Sequence, residues 1–488
     1  MAATPFFTAP VGDNRVGRRL LLVSHSFPPI RFVGALRWQK LGELAAERGW
    51  ALDVIMQQPP REAASDATQL AAVPDAARLY GVPLRESWLE RAQRAVKRTA
   101  RRTPAPSHHS QRAPGSSSAP ADGRFSWMKR ANRVALYYAA HRRWAREAAA
   151  LASDIVTSQH VGVISSGPPH MAHIAGAEIA RNHALPLFID MRDPWSLGRR
   201  TGRELDSRLW WVLARHFERR AVRDASLVIA NTEMFRIALC RRYPELAERT
   251  LTVMNGSDDD PLPPREVTER FVVAYAGSMY WDRDPRPLFR AAAIVIRQLG
   301  LRPDQFAVEL MGDVRLAEGV FVEEIARSEG IADYVHLHDD DTRQRAMEFL
   351  ARADLLVSLP LVVSGTSRET EVDITVPAKI FEYMRFDAWI LALADPGSAT
   401  SEFLRDTTAD VAAPHDVAGI ADVLLRRYRD RANGIRPRAI EDGRFSRRTQ
   451  GLHLLDALEP YLAAVESRRD AAHLGKEPAT EFSRPSPR

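Results

Sequence analysis

Short apolar runs recur along the chain, separated by amphipathic stretches of helical length. In the first half they occupy 20–24, 52–56, 161–165, 187–190, 227–230 and 251–254. In the second half they occupy 271–276, 308–311, 335–337, 355–359 and 390–393. They show little period-two alternation, as expected of strands buried on both faces of a parallel sheet. The stretches 35–48, 170–183 and 287–299 carry apolar residues at helical spacing. The alternation predicts an α/β fold built from doubly wound, Rossmann-like sheets. The series restarts at Phe271, just after the acidic, Pro-rich stretch DDDPLPP at 258–264. Such a stretch extends neither a helix nor a central strand, so a boundary is placed there. One domain is expected over 15–262 and a second over 268–440, facing each other across a cleft. Ligands would lie beyond the carboxyl ends of the strands.

Leu455, Leu458, Leu462 and Val465 recur at spacings of three and four. They predict a closing helix over 446–465, with a kink or break at Pro460. Two segments lack such patterning. The Arg-, Pro-, Ser- and Ala-rich stretch 101–123 reads as a disordered loop within the first domain, and 467–488 as a disordered tail.

With 488 residues, 45% of them hydrophobic and 27% charged, the chain has the composition of a soluble multidomain protein. The lone Cys240 excludes an intrachain disulfide and a Cys-based zinc cluster. No apolar run reaches the length of a membrane span, and 1–14 carry no apolar leader core. A reducing cytoplasm is the expected location. The net charge of +6 is unevenly spread: 85–143 hold fourteen Lys or Arg against three acids. Leu84, Trp88, Leu89 and Ala92 can form one face of a short helix over 84–102. Arg85, Arg91, Arg94, Lys97 and Arg98 occupy its other positions. Such a helix would rest weakly on an anionic membrane, making the protein peripheral at its inner face, or would be a solvated basic face. Nucleic acid is not expected, because 91–123 contain no Phe, Trp or Tyr to stack on bases.

Candidate chemistry clusters where strands end. SHSFPPIRFVG at 24–34 leads a strand into a helix opening at Gly34, where a glycine permits close backbone approach to an anion or only the turn itself. SSGPPHMAH at 165–173 places His170, and DMRDPW at 190–195 places Arg192 and Asp193, at two further strand ends. Each could touch substrate or serve as a loop hydrogen-bonder or structural ion pair. YAGSMYWDRDPR at 275–286 offers Gly277 for a turn and Arg283 for a diphosphate. TVPAKIFEYM at 375–384 predicts a helix capped by Thr375 with Lys379 in its first turn, suited to phosphate. Lys379 is one of five lysines in a chain that otherwise uses arginine. A surface pair between Lys379 and Glu382 is the plainer alternative. The chain has neither a GxGxxG fingerprint nor a P-loop, which argues against dinucleotide oxidoreductases and P-loop enzymes.

Taken in order with IANT at 229–232 and VMNGSD at 253–258, these motifs resemble GT-B glycosyltransferases of family 4 over roughly 20–459. The resemblance implies sugar transfer from a nucleotide-diphosphate donor, UDP or GDP, with retained configuration. A glycan or lipid-linked acceptor in surface polysaccharide or glycolipid assembly would receive the sugar. It assigns Lys379 and Arg283 to the diphosphate, Glu382 to the ribose, and Gly34 and Gly277 to backbone approach. It places the acceptor near His170 and 190–193, and sends the last helix back onto the first domain. No cofactor and no metal are expected, and Asp258 to Asp260 read as linker. Two positions depart from the family pattern. Ile374 stands where many relatives have a glutamate that contacts the hexose; Glu371 or Asp373 could substitute. Arg192 stands where many have a histidine, and a guanidinium is no general base, leaving Asp190, Asp193 or His170. A GT-B nucleotide-sugar epimerase and a non-catalytic sugar-nucleotide-binding protein are the alternatives.

Overall fold

All eleven apolar runs coincide with strands or overlap them. The structure, a computed structural model, describes residues 3–12, 16–30, 33–64, 66–85, 123–197, 205–279, 283–339, 341–359, 373–440 and 443–473. The first half runs β1 (Phe7–Thr8), β2 (Arg18–Ser24), α1 (Val33–Glu47), β3 (Trp50–Gln57), short helical turns α2 (Arg61–Ala64) and α3 (Ala67–Leu70), and β4 (Arg78–Val82). It continues through α4 (Gly123–Ile155), β5 (His160–Gly167), α5 (Met171–Asn182), β6 (Leu187–Met191), α6 (Arg208–Arg223), β7 (Leu227–Ala230), α7 (Glu233–Arg242) and β8 (Thr250–Thr252). The second half runs β9 (Phe271–Ala276), α8 (Arg286–Leu299), β10 (Phe306–Met311), the hairpin β11 (Leu316–Ala317) and β12 (Val320–Phe321), α9 (Val322–Ser328) and β13 (Val335–His338). Then come α10 (Arg343–Ala351), β14 (Leu355–Ser358), α11 (Ala378–Tyr383), β15 (Trp389–Leu393), α12 (Ala399–Leu404), β16 (Asp410–Ala412), α13 (Val417–Ala432) and α14 (Arg447–His473).

Among the described residues the first sheet has the order β1-β4-β3-β2-β5-β6-β7-β8 and the second β13-β10-β9-β14-β15-β16. Within these two sheets only β1 runs antiparallel to its neighbour. Strand order reverses between β2 and β5 in the first sheet and between β9 and β14 in the second. In α/β sheets ligands bind at such reversals, outside the strands' carboxyl ends. Central strands are buried on both faces, which is why Leu20, Leu21, Leu22 and Val23 follow one another without alternation. In α8, Leu288, Phe289, Ala292, Val295 and Ile296 make the buried stripe, and Gly300 at φ +62° ends the helix in the left-handed conformation. The sequence pattern missed β4, whose apolar run is interrupted by Gly81, and β16, which is half exposed.

The closing helix returns to the first sheet. Leu454, Leu455, Leu458, Leu462 and Val465 of α14 join that sheet's core. Gly451 lets α14 lie close on α1; a Cβ there would stand 2.4 Å from a Leu44 methyl. Two expectations are corrected. The helix runs unbroken through Pro460, and it ends at His473 rather than at 465 with a tail from 467. Its extra turns are tied down. Arg18 bridges to Glu466 at 2.7 Å, and Arg469 donates to the carbonyl of His160 at 2.9 Å. The expected basic helix and the loop of 101–123 lie outside the described residues, apart from Leu84, Arg85 and Gly123. No helix among the described residues is long and apolar enough to cross a membrane.

Candidate functional site

At the second sheet's reversal, β9 ends in Tyr275 and Ala276, and the chain turns at Gly277 with φ +136°. Lys379, from the first turn of α11, reaches back across this point. Its Nζ donates to the Ala276 carbonyl at 2.9 Å and stands 3.7 Å from the centre of the Tyr275 ring. A Cβ on Gly277 would come within 2.7 Å of that Nζ, so glycine here serves both the backbone angle and the lysine. Arg283 Nη1 donates to the Tyr275 hydroxyl at 2.7 Å, and the hydroxyl donates to the Ser278 carbonyl at 3.0 Å. Lys379 and Arg283 thus meet on one tyrosine. Burial first, and then the Arg283 charge, push the Lys379 ammonium well below the ordinary lysine value, with Glu382 opposing.

Glu382 is on the same helix but does not pair with Lys379. Its Oε1 accepts from Arg343 Nη1 at 2.7 Å. Arg343 also holds Asp258 at 2.9 Å, and Arg447 holds the same aspartate at 2.6 Å. Asp258 is therefore not plain linker but a buried anion where the chain crosses twice between the sheets. There the Ser257 amide donates to the Phe445 carbonyl at 3.0 Å and the Arg447 amide to the Ser257 carbonyl at 2.8 Å. Arg343 and Arg447 were missed because each is an ordinary helix-start arginine in sequence. The expected cap is also corrected. Pro377 occupies the cap position of α11, while Thr375 turns away and donates its hydroxyl to Asp373 at 2.6 Å. Ile374 is buried in the first sheet's core, and its carbonyl accepts from Thr232 at 2.5 Å. Glu371 lies outside the described residues.

On the first sheet, the ends of β2, β5 and β6 converge. Asp190 is fully buried and accepts from Trp38 at 2.7 Å, Ser166 at 2.9 Å and Arg37 Nε at 3.2 Å. A carboxylate with its lone pairs so occupied orients the strand ends. Arg192 donates Nη2 to the Pro168 carbonyl at 2.7 Å and Nε to that of Gly167 at 3.2 Å. A Cβ on Gly34 would stand 1.9 Å from Arg192 Nη1, so the missing side chain of Gly34 makes room for Arg192. Asp193 lies beside it, partly buried, and its charge favours the guanidinium. His170 stacks on Trp195 at 5.1 Å, and its Nδ1 finds no hydrogen-bond partner among the described residues. Burial, then His173 and Arg192, hold its pKa well below the ordinary value, so the ring is neutral at pH 7 and a weak base. Sequence reasoning missed His25 at the end of β2, buried beside His141 and Trp144 with its pKa lowered to about 3 by burial, His141 and Arg192. Its place directly after an apolar run was the available signal.

No protein-family model and no curated protein sequence matches the chain. Solved structures do. HepE of Anabaena, crystallised with UDP and glucose, is 15% identical with a TM-score of 0.57, covering 91% of this chain and 100% of HepE. Sucrose-phosphate synthase of Thermosynechococcus elongatus is 13% identical with a TM-score of 0.55, covering 92% of this chain and 100% of that one. A UDP-forming α,α-trehalose-phosphate synthase of Burkholderia xenovorans, in complex with glucose 6-phosphate, is 11% identical with a TM-score of 0.53. That match covers 90% of this chain and 100% of the synthase. The chain therefore has the GT-B glycosyltransferase fold.

Proposed function

We propose that the protein is a retaining glycosyltransferase, moving a hexose from a nucleoside-diphosphate sugar to a glycan or lipid-linked acceptor in surface polysaccharide or glycolipid assembly. The observation that carries this reading is the Lys379–Arg283 pair converging at the end of β9. As the bond from the sugar C1 to the diphosphate oxygen breaks, charge develops on the leaving phosphate, where two fixed cations stabilise it most. The acceptor hydroxyl forms the new bond to C1. Asp190 is committed to Trp38, Ser166 and Arg37, Asp193 lies beside the Arg192 guanidinium, and His170 is a weak base, so the departing phosphate oxygen is assigned the hydroxyl's proton. Glu382 faces the donor's ribose, oriented by Arg343. The family-4 pattern and the UDP and glucose bound to HepE support the same class of donor.

Peripheral attachment to an anionic membrane belongs to the same proposal. The solvent face of α4 presents Trp127, 59% exposed, beside Met128 and Lys129, and α6 exposes Val212 among arginines. The test is melting-temperature screening with UDP, GDP, ADP and TDP, since a ligand bound only by the folded chain raises it. Transfer is then assayed with the matching sugar donor. Lys379→Ala should fold normally and lower turnover by about 10²–10³-fold, the loss expected for one such electrostatic donor. Normal turnover in that variant would end the proposal. Donor consumption that yields a new nucleotide sugar without any acceptor would replace transfer by epimerisation.

A further inference from the structure

Nothing in the motif order gives the first tyrosine of YAGSMY a role. Tyr275 is fully buried in β9, paired in register with Leu310 of β10. Both of its polar faculties are in use. The ring face carries the Lys379 ammonium at 3.7 Å, and the hydroxyl accepts from Arg283 at 2.7 Å. Because the hydroxyl gives its own proton to the Ser278 carbonyl at 3.0 Å, its lone pair is turned toward the guanidinium. Lys379 arrives from α11, and Arg283 from the loop after β9. The two cations repel, and burial penalises both. A single side chain on a central strand attracts each by a different mechanism, one through its π face and one through its oxygen.

We infer that Tyr275 is the positioning residue of the anion site, holding Lys379 and Arg283 at a fixed separation before the diphosphate arrives. The inference rests on the diphosphate reading of those two cations. The strand supplies rigidity: β9 lies between β10 and β14, so the ring cannot follow either cation if it drifts. Tyr275 itself contacts neither sugar nor phosphate in this scheme. It removes the cost of collecting two like charges at the moment of binding.

Calorimetric titration with UDP, or with whichever of GDP, ADP and TDP raises the melting temperature, tests this. Tyr275→Phe keeps the ring and loses the oxygen. It should weaken nucleotide binding about tenfold, the worth of one hydrogen bond to a charged group. In an Arg283→Met background the same change should have less than about a twofold effect, because the partner is already gone. Tyr275→Leu loses both attachments and should weaken binding about 100-fold or more. In the transfer assay, the Phe variant should lose turnover as well as donor affinity, because Arg283 then meets the leaving phosphate off position. A Phe variant that binds as the wild type, or that loses tenfold with or without Arg283, overturns the inference. Should the Leu variant fail to fold, the Phe variant and its cycle with Arg283→Met carry the test alone. If Lys379→Met and Arg283→Met themselves leave nucleotide affinity unchanged, the diphosphate reading falls first and Tyr275 with it. If they weaken it and Tyr275→Phe does not, only Tyr275 is wrong.

Discussion

Nucleotide binding should draw a proton from solution, and Lys379 should be where it goes. In the empty site, burial and the Arg283 charge hold the ammonium far below the ordinary lysine value. A diphosphate brings negative charge against the same nitrogen and restores its affinity for the proton. The sign follows from counting protons. At pH values below the free-site pKa the ammonium is already present and affinity is flat. Above it, and up to the lysine's pKa in the complex, the complex holds one more proton than the free protein. Affinity therefore falls as pH rises. Within that window the limiting slope is about tenfold per pH unit, or about 1.4 kcal/mol.

The assay is calorimetric titration in two buffers of different ionisation enthalpy. The nucleotide's own phosphate titrates near pH 6, so pH 8 to 9 isolates the lysine. The wild type should take up a fraction of a proton there, growing as pH rises through the depressed free-site value. Lys379→Met should bind more weakly with no uptake. Lys379→Arg, always charged, should also take up none. The empty protein supplies a second check. A lysine with a depressed pKa leaves the unfolded chain holding more protons than the folded one. Stability of the empty protein should then rise with pH from the depressed value toward the ordinary one of about 10.4. Uptake of zero in the wild type at every pH from 7 to 9, or equal uptake in Lys379→Met, would refute the reasoning.

Gly277→Ala would put a Cβ 2.7 Å from the Lys379 Nζ on a backbone at φ +136°. The expected outcome is a donor KM raised more than about tenfold and a strain cost of about 1–3 kcal/mol by urea unfolding. Asp190→Asn should cost about 3–5 kcal/mol, because it removes the buried carboxylate that pairs with the largely buried Arg37 side chain. Since donors fill the Asp190 acceptor sites, the pH profile of turnover per folded molecule should keep its shape. Ile374→Glu, which supplies the carboxylate that many relatives carry, should destabilise by several kcal/mol and leave donor choice unchanged, since it inserts a charge into the first sheet's core. A gain of donor affinity in that variant, read by calorimetry, would contradict the placement.

The strands and the turns at their ends were legible in the sequence for the same reason. Both depend on local order: an apolar run long enough for a buried strand, then a glycine, then a polar residue at its end. Leu355–Ser358 and Phe271–Ala276 show the first half of that rule, and Gly277 and His170 the second. What was not legible arises from pairings 85 to 189 residues apart. Asp258 reads as one acid in a run of three, and only folding sets it against Arg343 and Arg447. Asp190 looked like a possible base until Trp38 and Arg37, from a helix 150 residues earlier, filled its lone pairs. Ile374 looked like a lost sugar contact, yet it sits in the first sheet's core while its carbonyl bonds Thr232. A glutamate could not occupy that apolar position without leaving its charge uncompensated. The substitution and the contact between the sheets are therefore one feature. The loop that delivers Lys379 is anchored to the first domain through the position that, in the family pattern, would hold the sugar.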